Sequence, residues 1–404
     1  MAEGGKLPPI PSVTIATMKS NRSRLLFVVG SVAALLSLRA VSGSDANGKD
    51  PASKALSIFS DVFSLTRSNY VESVDSKTLL EGAYDGMSDA LDAFSFYVPA
   101  SERTAFRAAA AAGTVGTGIV VARRGGFPYV IGALPGSPAD KAGIKPGDLI
   151  DTIDGKPVRT APIWKIRSAL DGPDGTTVAV IVFRAGDENR VSLRVPRAKW
   201  QAPEVSARWD RDVGIVKIPA IAPATAGQLA AVIEEAGKRN VSNLVLDVRG
   251  AIGGEAADAA AAASPFVGKG PVARVVSRKA AGEGLEATGE KTWKGHTVVL
   301  TDDSTAGAAE VFAGALHDRA SAVTVGETTV GMAVVQRQVP TPSGGILWMT
   351  VGRYVSPSGT VLGGKGLSPD ERVLVLLGES PSDKDPILDR GLEIARGSAL
   401  RKAA

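Results

Sequence analysis

The stretch that decides the fold runs from Thr301 to Gln336, TDDSTAGAAEVFAGALHDRASAVTVGETTVGMAVVQ. The apolar run leading into it, His296–Asp303 (HTVVLTDD), reads as a strand, Ala308–Asp318 as a helix and Ala322–Gly326 (AVTVG) as another strand. Strand, helix and strand in that order build a largely parallel sheet with helices packed on it. The same rhythm begins upstream. Val213–Ile221 (VGIVKIPAI) is a strand, Thr225–Arg239 is helical, Asn243–Gly250 (NLVLDVRG) is a buried strand and Glu255–Ala263 is an alanine-rich helix. Downstream, Leu347–Pro357 (LWMTVGRYVSP) adds a strand and Asp385–Arg396 a terminal helix.

Towards the N-terminus the period changes. Lys199–Arg211 reads as a connector. Gly116–Arg197 breaks into short β-like runs (GIVVAR, YVIGAL, DLIDTIDG, TVAVIVFRAG, VSLRVPR) split by Gly, Pro and Asp, with one helical segment at Ala161–Leu170. Ala52–Ala112 is helical in pattern, because Leu56, Phe59, Val62 and Phe63, then Leu79, Leu80, Tyr84, Met87 and Leu91, recur at helical spacing. Gly113 ends that block. No repeat of 20–50 residues is present.

Composition narrows the function classes. With 44% hydrophobic and 22% charged residues, the chain is ordinary for a globular protein of several domains. A net charge of +4, dispersed along the sequence, argues against nucleic acid as a partner. Cysteine is absent, which excludes disulfides, thiolate zinc sites and a cysteine nucleophile; two histidines, His296 and His317, exclude a His-rich metal site. No metal and no cofactor are expected. Lys19, Arg22 and Arg24 precede the apolar run Leu25–Leu38 (LLFVVGSVAALLSL), and small polar residues follow it. This is the layout of an export signal, either cleaved or kept as a signal-anchor; the run is shorter than the ~20 residues of a comfortable membrane span. The basic side stays in the cytoplasm, so the chain beyond about residue 45 is expected outside the inner membrane, in the periplasm or its equivalent.

Gly136–Val158 (GSPADKAGIKPGDLIDTIDGKPV) resembles the middle of a PDZ domain. Ser137-Pro138-Ala139 opens a short helix, Ala142-Gly143-Ile144 closes it, Gly147-Asp148 turns into the strand Leu149–Ile153, and Asp154-Gly155 is a hairpin turn. Such a module binds a ligand's C-terminal strand along an exposed sheet edge, expected at Ile119–Ala122. Backbone amides of Gly116, Thr117, Gly118 and Ile119 are the candidate carboxylate site, since glycines let a turn approach an anion. Ile163, Ile166 and Leu170 share a helical face and are candidates to line the pocket for the last side chain.

From about Val62 to Arg396 the chain resembles the C-terminal processing peptidases, or tail-specific proteases, of the S41 serine peptidases. Tyr70–Asp92 is similar to the family's N-terminal helical signature and Asn243–Gly254 (NLVLDVRGAIGG) to its strand and oxyanion turn. Val298–Asp318 is similar to the nucleophile segment, Val325–Gln336 to the general-base segment, and Gly352–Asp370 to the last core strand and its loop. The resemblance implies a multidomain α+β protein. Its parts are a signal peptide or signal-anchor (1–44), an N-terminal helical domain (45–112), a PDZ β-module (113–200), a ClpP/crotonase-like α/β protease core (201–375) and a C-terminal helix and tail (376–404).

It also implies a serine–lysine dyad, in which serine attacks the peptide carbonyl and a buried neutral lysine takes its proton. The nucleophile of the family stands three residues before a glutamate, here Glu310, so its position is Gly307. The lysine's position falls on Met332, and the glutamine that orients it is present as Gln336. Gly307 has no side chain to acylate and Met332 no group to titrate. Loss of a dyad member typically costs on the order of 10⁶ in turnover. Gly253, Gly254 and the amide of Ala308 are the oxyanion candidates. Ser304 is a displaced substitute hydroxyl whose plainer role is a turn or helix cap; His317 falls about 15 Å of helix from the turn, and Lys365 sits in a Gly-rich loop. The expected function is therefore an exported S41-like protein that binds peptide or protein C-termini without efficient cleavage, alone as a homo-oligomer or beside an active relative. The alternatives are a serine endopeptidase using residues such as Ser304, and acyl-CoA chemistry on a crotonase-like core.

Overall fold

The computed structural model describes residues 51–109, 114–279, 281–374 and 385–403. The Leu25–Leu38 segment and its basic flank lie outside these. Among the described residues no helix is long and apolar enough to cross a membrane. The chain divides between Leu79 and Leu80 into two compact units. The first contains helix α1 (Pro51–Asn69) and the start of α2 (Ser76–Asp89), which continues into the second. On α1, Leu56, Phe59 and Val62 mark the helical period and remain exposed.

The second unit opens with strand β1 (Phe96–Val98) and helix α3 (Arg103–Ala109). The next elements are β2 (Thr114–Val115), β3 (Ile119–Arg124), β4 (Phe127–Ala133), helix α4 (Pro138–Ala142), β5 (Leu149–Ile153), β6 (Lys156–Pro157), helix α5 (Ile163–Leu170), β7 (Gly172–Pro173), β8 (Thr177–Phe183) and β9 (Val191–Pro196). Six of these strands form an antiparallel sheet in the order β3-β4-β5-β8-β9, with β6 paired to β5, which leaves β3 at an edge. Ser137 caps α4 by accepting the amide of Asp140, and Gly143 ends it with φ 82°. Asp148, fully buried, receives Arg184 through two hydrogen bonds of 2.8 Å. That bidentate pair fixes the turn into β5 against the end of β8.

The parallel layer follows: β10 (Ser206–Asp210), β11 (Val213–Lys217), α6 (Thr225–Lys238), β12 (Asn243–Asp247), α7 (Ala256–Val267), the hairpin β13 (Gly270–Val276) and β14 (Ala281–Ala287), β15 (His296–Thr301), α8 (Ala308–Ala320), β16 (Val323–Gly326), the pair β17 (Val334–Pro340) and β18 (Ile346–Val355), β19 (Glu371–Arg372) and α9 (Pro386–Ala403). The sheet order is β10-β11-β12-β15-β16-β19. Strands β11, β12, β15 and β16 run parallel, with β10 antiparallel at one edge. Alternate residues face opposite layers. Val216, Leu244, Leu246 and Val299 pack on Leu229, Phe266 and Phe312 of α6, α7 and α8, whereas Val213, Ile215, Val245 and Leu300 pack on Ile387 and Ala395 of α9. Burial on both faces explains why these strands read as unbroken apolar runs.

The antiparallel sheet β1-β18-β13-β14, with β17 also on β18, lies outside the expected rhythm. Its strand β18 was read from the sequence as Leu347–Pro357, whereas β13 and β14 escaped because Gly270, Pro271, Gly282 and Gly284 interrupt them, and such residues are poor strand formers. Two further corrections follow from pairing: the connector 199–211 contains β10, and the helical block 52–112 contains β1, whose Phe96, Tyr97 and Val98 are buried against β18. Phe96 stacks on Trp348 of β18 with centroids 5.8 Å apart, and Phe106 of α3 meets Trp164 of α5 edge-on at 5.7 Å. These rings give the antiparallel module and the second sheet a shared core.

Replacing Arg184 with alanine strands the buried Asp148 carboxylate. The expected loss is about 3 kcal/mol in denaturant unfolding, with little change for Arg190→Ala, whose ion pair to Asp151 is exposed.

Candidate active site

The site forms where β15 ends and α8 begins. At Gly307 the backbone takes φ 69° and ψ −120°, a conformation that side chains other than glycine occupy only under strain. Sharp strand-to-helix turns of this kind present a residue at the top of a sheet. Beneath the turn, the carboxylate of Glu310 is completely buried. Its Oε2 accepts the amide of Gly307 at 2.9 Å; its Oε1 accepts the Thr329 hydroxyl at 2.5 Å and the Gly331 amide at 2.6 Å. Burial pushes this carboxyl up to about 7, against the hydrogen bonds it accepts from Thr329, Gly331, Gly307 and Met332. One side chain therefore ties the turn to the loop that carries Met332.

Met332 packs with Val330 and Val334 against an apolar cluster of Phe94, Ala122, Ile131, Ile252 and Ala306. Gln336 donates from Nε2 to the Phe94 carbonyl at 3.0 Å. Gly253 and Gly254 both have positive φ, 80° and 86°, and a Cβ at Gly254 would stand 2.3 Å from the Ile221 carbonyl oxygen, so only glycine fits there. The amide of Ala308 donates to the Gly253 carbonyl at 3.1 Å. A Cβ added at Gly307 would lie 3.3 Å from that same oxygen. The Gly253 carbonyl thus holds the donor that a substrate carbonyl would need.

Together Gly253, Gly254, Gly307, Ala308, Met332 and Gln336 line a cavity of about 380 Å³. Ser304 faces a different cavity, of about 460 Å³, together with Lys217. Its hydroxyl donates to Asp302 Oδ2 at 2.9 Å and its amide to Asp302 Oδ1 at 3.2 Å, the pattern of a turn stabilised by an Asx side chain. Lys217 sits 3.2 Å from Asp247 and donates to the Arg249 carbonyl at 2.7 Å, so its ammonium already has partners of its own. His317 lies near the other end of α8 between Asp318 (2.8 Å) and Asp370 (3.2 Å). Lys365 is exposed. Among the described residues no group of three His, Asp or Glu side chains is placed to hold a metal ion.

In the antiparallel module, Gly116–Ile119 leads into the edge strand β3. Thr117 is buried, and its hydroxyl accepts the Ile119 amide at 3.4 Å. The outward groups of β3 are engaged within the chain: Arg167 Nη2 donates to the Val121 carbonyl at 3.1 Å, and the Arg123 amide donates to the Ala93 carbonyl at 3.3 Å. Ile163, Ile166 and Leu170 are packed in the module's core, each no more than 3% exposed, and offer no surface in this arrangement. Sequence reasoning missed Arg167 and the Ala93–Phe94 segment.

Comparison with known proteins settles the family. The model of peptidase family S41 matches residues 212–373, that of the PDZ domain 129–184, and that of the N-terminal domain of the activating protease CtpB 31–101. The carboxy-terminal processing protease CtpA of Bacillus subtilis is 30% identical over 351 residues, covering 85% of this chain and 75% of that protein. The chain belongs to the S41 carboxy-terminal processing protease family. A carboxy-terminal-processing protease of Bartonella bacilliformis is 29% identical over 354 residues, 86% of this chain and 82% of its own. Among solved structures, a photosystem II D1 C-terminal processing protease shares the fold with a TM-score of 0.62 at 24% identity, over 84% of this chain and 96% of that one. The PDZ module and the S41 core are thus features of the family.

Two outcomes test the site. Gly307→Ala places a Cβ at positive φ and against Gly253, and should lower stability by about 1–3 kcal/mol in denaturant unfolding. Glu310 binds a proton more readily folded than unfolded, so its contribution to stability is complete below about pH 4.5 and lost as pH rises through about 7. Glu310→Gln should remove that part of the pH dependence, read as the difference between wild-type and variant unfolding curves at pH 5 and pH 8.

Proposed function

We propose that this protein is an exported, non-cleaving member of the family that binds the C-termini of peptides or proteins through its PDZ module. The observation that carries this reading is the cleft itself. Glycine stands at the nucleophile position and methionine at the base position, and the adjoining Ala308 amide already holds the Gly253 carbonyl. Retention of the Glu310 bridge supports a cleft kept in shape for binding. The partners that fit are unstructured C-termini, with a second copy of this chain or an active relative as the assembly partner. The basic and apolar segment Lys19–Leu38 supports a location outside the inner membrane, either released from it or anchored to it.

The test incubates the purified chain with unstructured proteins that end in apolar residues. Binding without cleavage is expected. Proteolysis abolished by Ser304→Ala would overturn the reading in favour of a serine endopeptidase built on the Ser304–Asp302 pair. The double variant Gly307→Ser, Met332→Lys is expected to gain cleavage of the same substrates, because Glu310 still supports both positions.

A further inference from the structure

His317 stands on the last turn of α8, at the opposite end of that helix from Gly307. Each of its ring nitrogens meets a carboxylate: Nδ1 lies 2.8 Å from Asp318 Oδ1, and Nε2 lies 3.2 Å from Asp370 Oδ1. An ionised carboxylate only accepts hydrogen bonds, whereas a neutral imidazole donates from one nitrogen and accepts at the other. The neutral ring would set a lone pair against one of the two oxygens, so only the imidazolium satisfies both. The free carbonyls of the helix end favour the same charge. Burial opposes it, but the two carboxylates outweigh burial and hold the imidazole above its usual value. Both carboxyls stay below theirs, against burial of their own: Asp318 takes the hydroxyls of Ser356 and Ser358, and Asp370 the amide and hydroxyl of Thr324. The neighbouring charges are engaged elsewhere. Arg319 donates to the carbonyls of Val267, Lys269 and Pro271, and Glu371 meets Arg390 of α9.

Asp318 and Asp370 bracket one segment of chain. The Ser358 amide donates to Asp318 Oδ2 at 2.8 Å, and Asp370 fixes the other end to β16 through the Thr324 amide, also at 2.8 Å. Between these ends the segment backs the loop that carries Met332. Gly364 donates to the Gly331 carbonyl at 2.7 Å, and Leu367 to the Thr329 hydroxyl at 2.8 Å. A Cβ at Gly331 would stand 2.9 Å from the Lys365 amide nitrogen, so the two backbones touch.

We propose that His317 is a pH-sensitive clasp: protonated, it joins Asp318 to Asp370 and holds the 358–370 segment against the Met332 loop; neutral, it lets go of one of the two. The clasp acts on the frame of the cleft and does not depend on what the cleft binds. The imidazole takes a proton more readily folded than unfolded. Its contribution is therefore complete below about pH 6.5 and lost as pH rises through the higher folded value.

Two measurements on the full chain test this. Imidazole NMR follows both histidines from about pH 5 to pH 9, and either His317→Gln or His296→Gln, the latter at an exposed position, tells the two signals apart. The His317 midpoint should lie above about 6.5, and Asp370→Asn should lower it. Hydrogen exchange, corrected for the intrinsic pH dependence of amides, reads residues 358–370. Between about pH 6 and pH 8.5, protection in the wild type should fall about three- to tenfold further than in His317→Gln, the size of one net hydrogen bond. Glu310 is common to both proteins, so this difference belongs to His317. A midpoint at or below about 6.5 overturns the inference, and so does a protection profile that is the same with and without the imidazole. The wild-type midpoint decides the matter on its own if His317→Gln does not fold.

Discussion

The carboxylate of Glu310 is the constraint on which the cleft depends. It lies out of water at the first turn of α8 and is met by donors from two segments, the Gly307 amide on one side and the Thr329 hydroxyl and Gly331 amide on the other. An unpaired acceptor at such depth costs more than an ordinary hydrogen bond returns, so the donors must come to it. That requirement sets the position of the turn after β15 and of the loop before β17 at once. The loop is held from behind as well: Gly364 donates to the Gly331 carbonyl, and Leu367 donates to the Thr329 hydroxyl. None of these contacts uses the side chain at 307 or 332. The frame of the site is therefore independent of the residues that chemistry would need.

This independence shaped what could be read beforehand. The parallel strands were legible because burial on both faces writes them as apolar runs, and the start of α8 because Gly307 and the turn-forming Asp302–Thr305 precede it. Of the antiparallel sheet only β18 was legible, since β13 and β14 owe their pairing to it and to each other rather than to their own glycine-rich composition. At the site, the identities at 307 and 332 were evident from letters alone. Glu310 was visible only as a marker of register: an acidic residue in a helix's first turn ordinarily faces solvent and the helix dipole, and nothing local reveals that it is wholly buried. Arg167 was hidden for a similar reason. On α5 it follows Ile166 and belongs to the polar face, which is solvated in most helices; here that face turns toward the cleft. The hydroxyl of Ser304, read first as a turn or cap group, has its partner two residues back in Asp302, within reach of the same local pattern.

The residues at 307 and 332 also bear on the energetics of the frame. A serine at Gly307 would hold a side chain at φ 69° and press on Gly253, and a neutral lysine at Met332 would require burial of an amine among Phe94, Val330 and Val334. Each is the kind of local cost that active sites bear for their chemistry. Glycine removes the first and a flexible thioether fills the second without a desolvated charge. The Gly253 carbonyl accepts the Ala308 amide at 3.1 Å beside them. A space of about 380 Å³ remains open between the core and the module.

What keeps that space open is the module's placement. Strand β3 and helix α5 are fixed against the second sheet by the aromatic contacts of Phe96, Phe106, Trp164 and Trp348, while the outward edge of β3 is stitched to Ala93 and Arg167. A strand adding to that edge would have to take over these bonds. The same arginine that satisfies the edge of the sheet is thus the cation that faces the cavity.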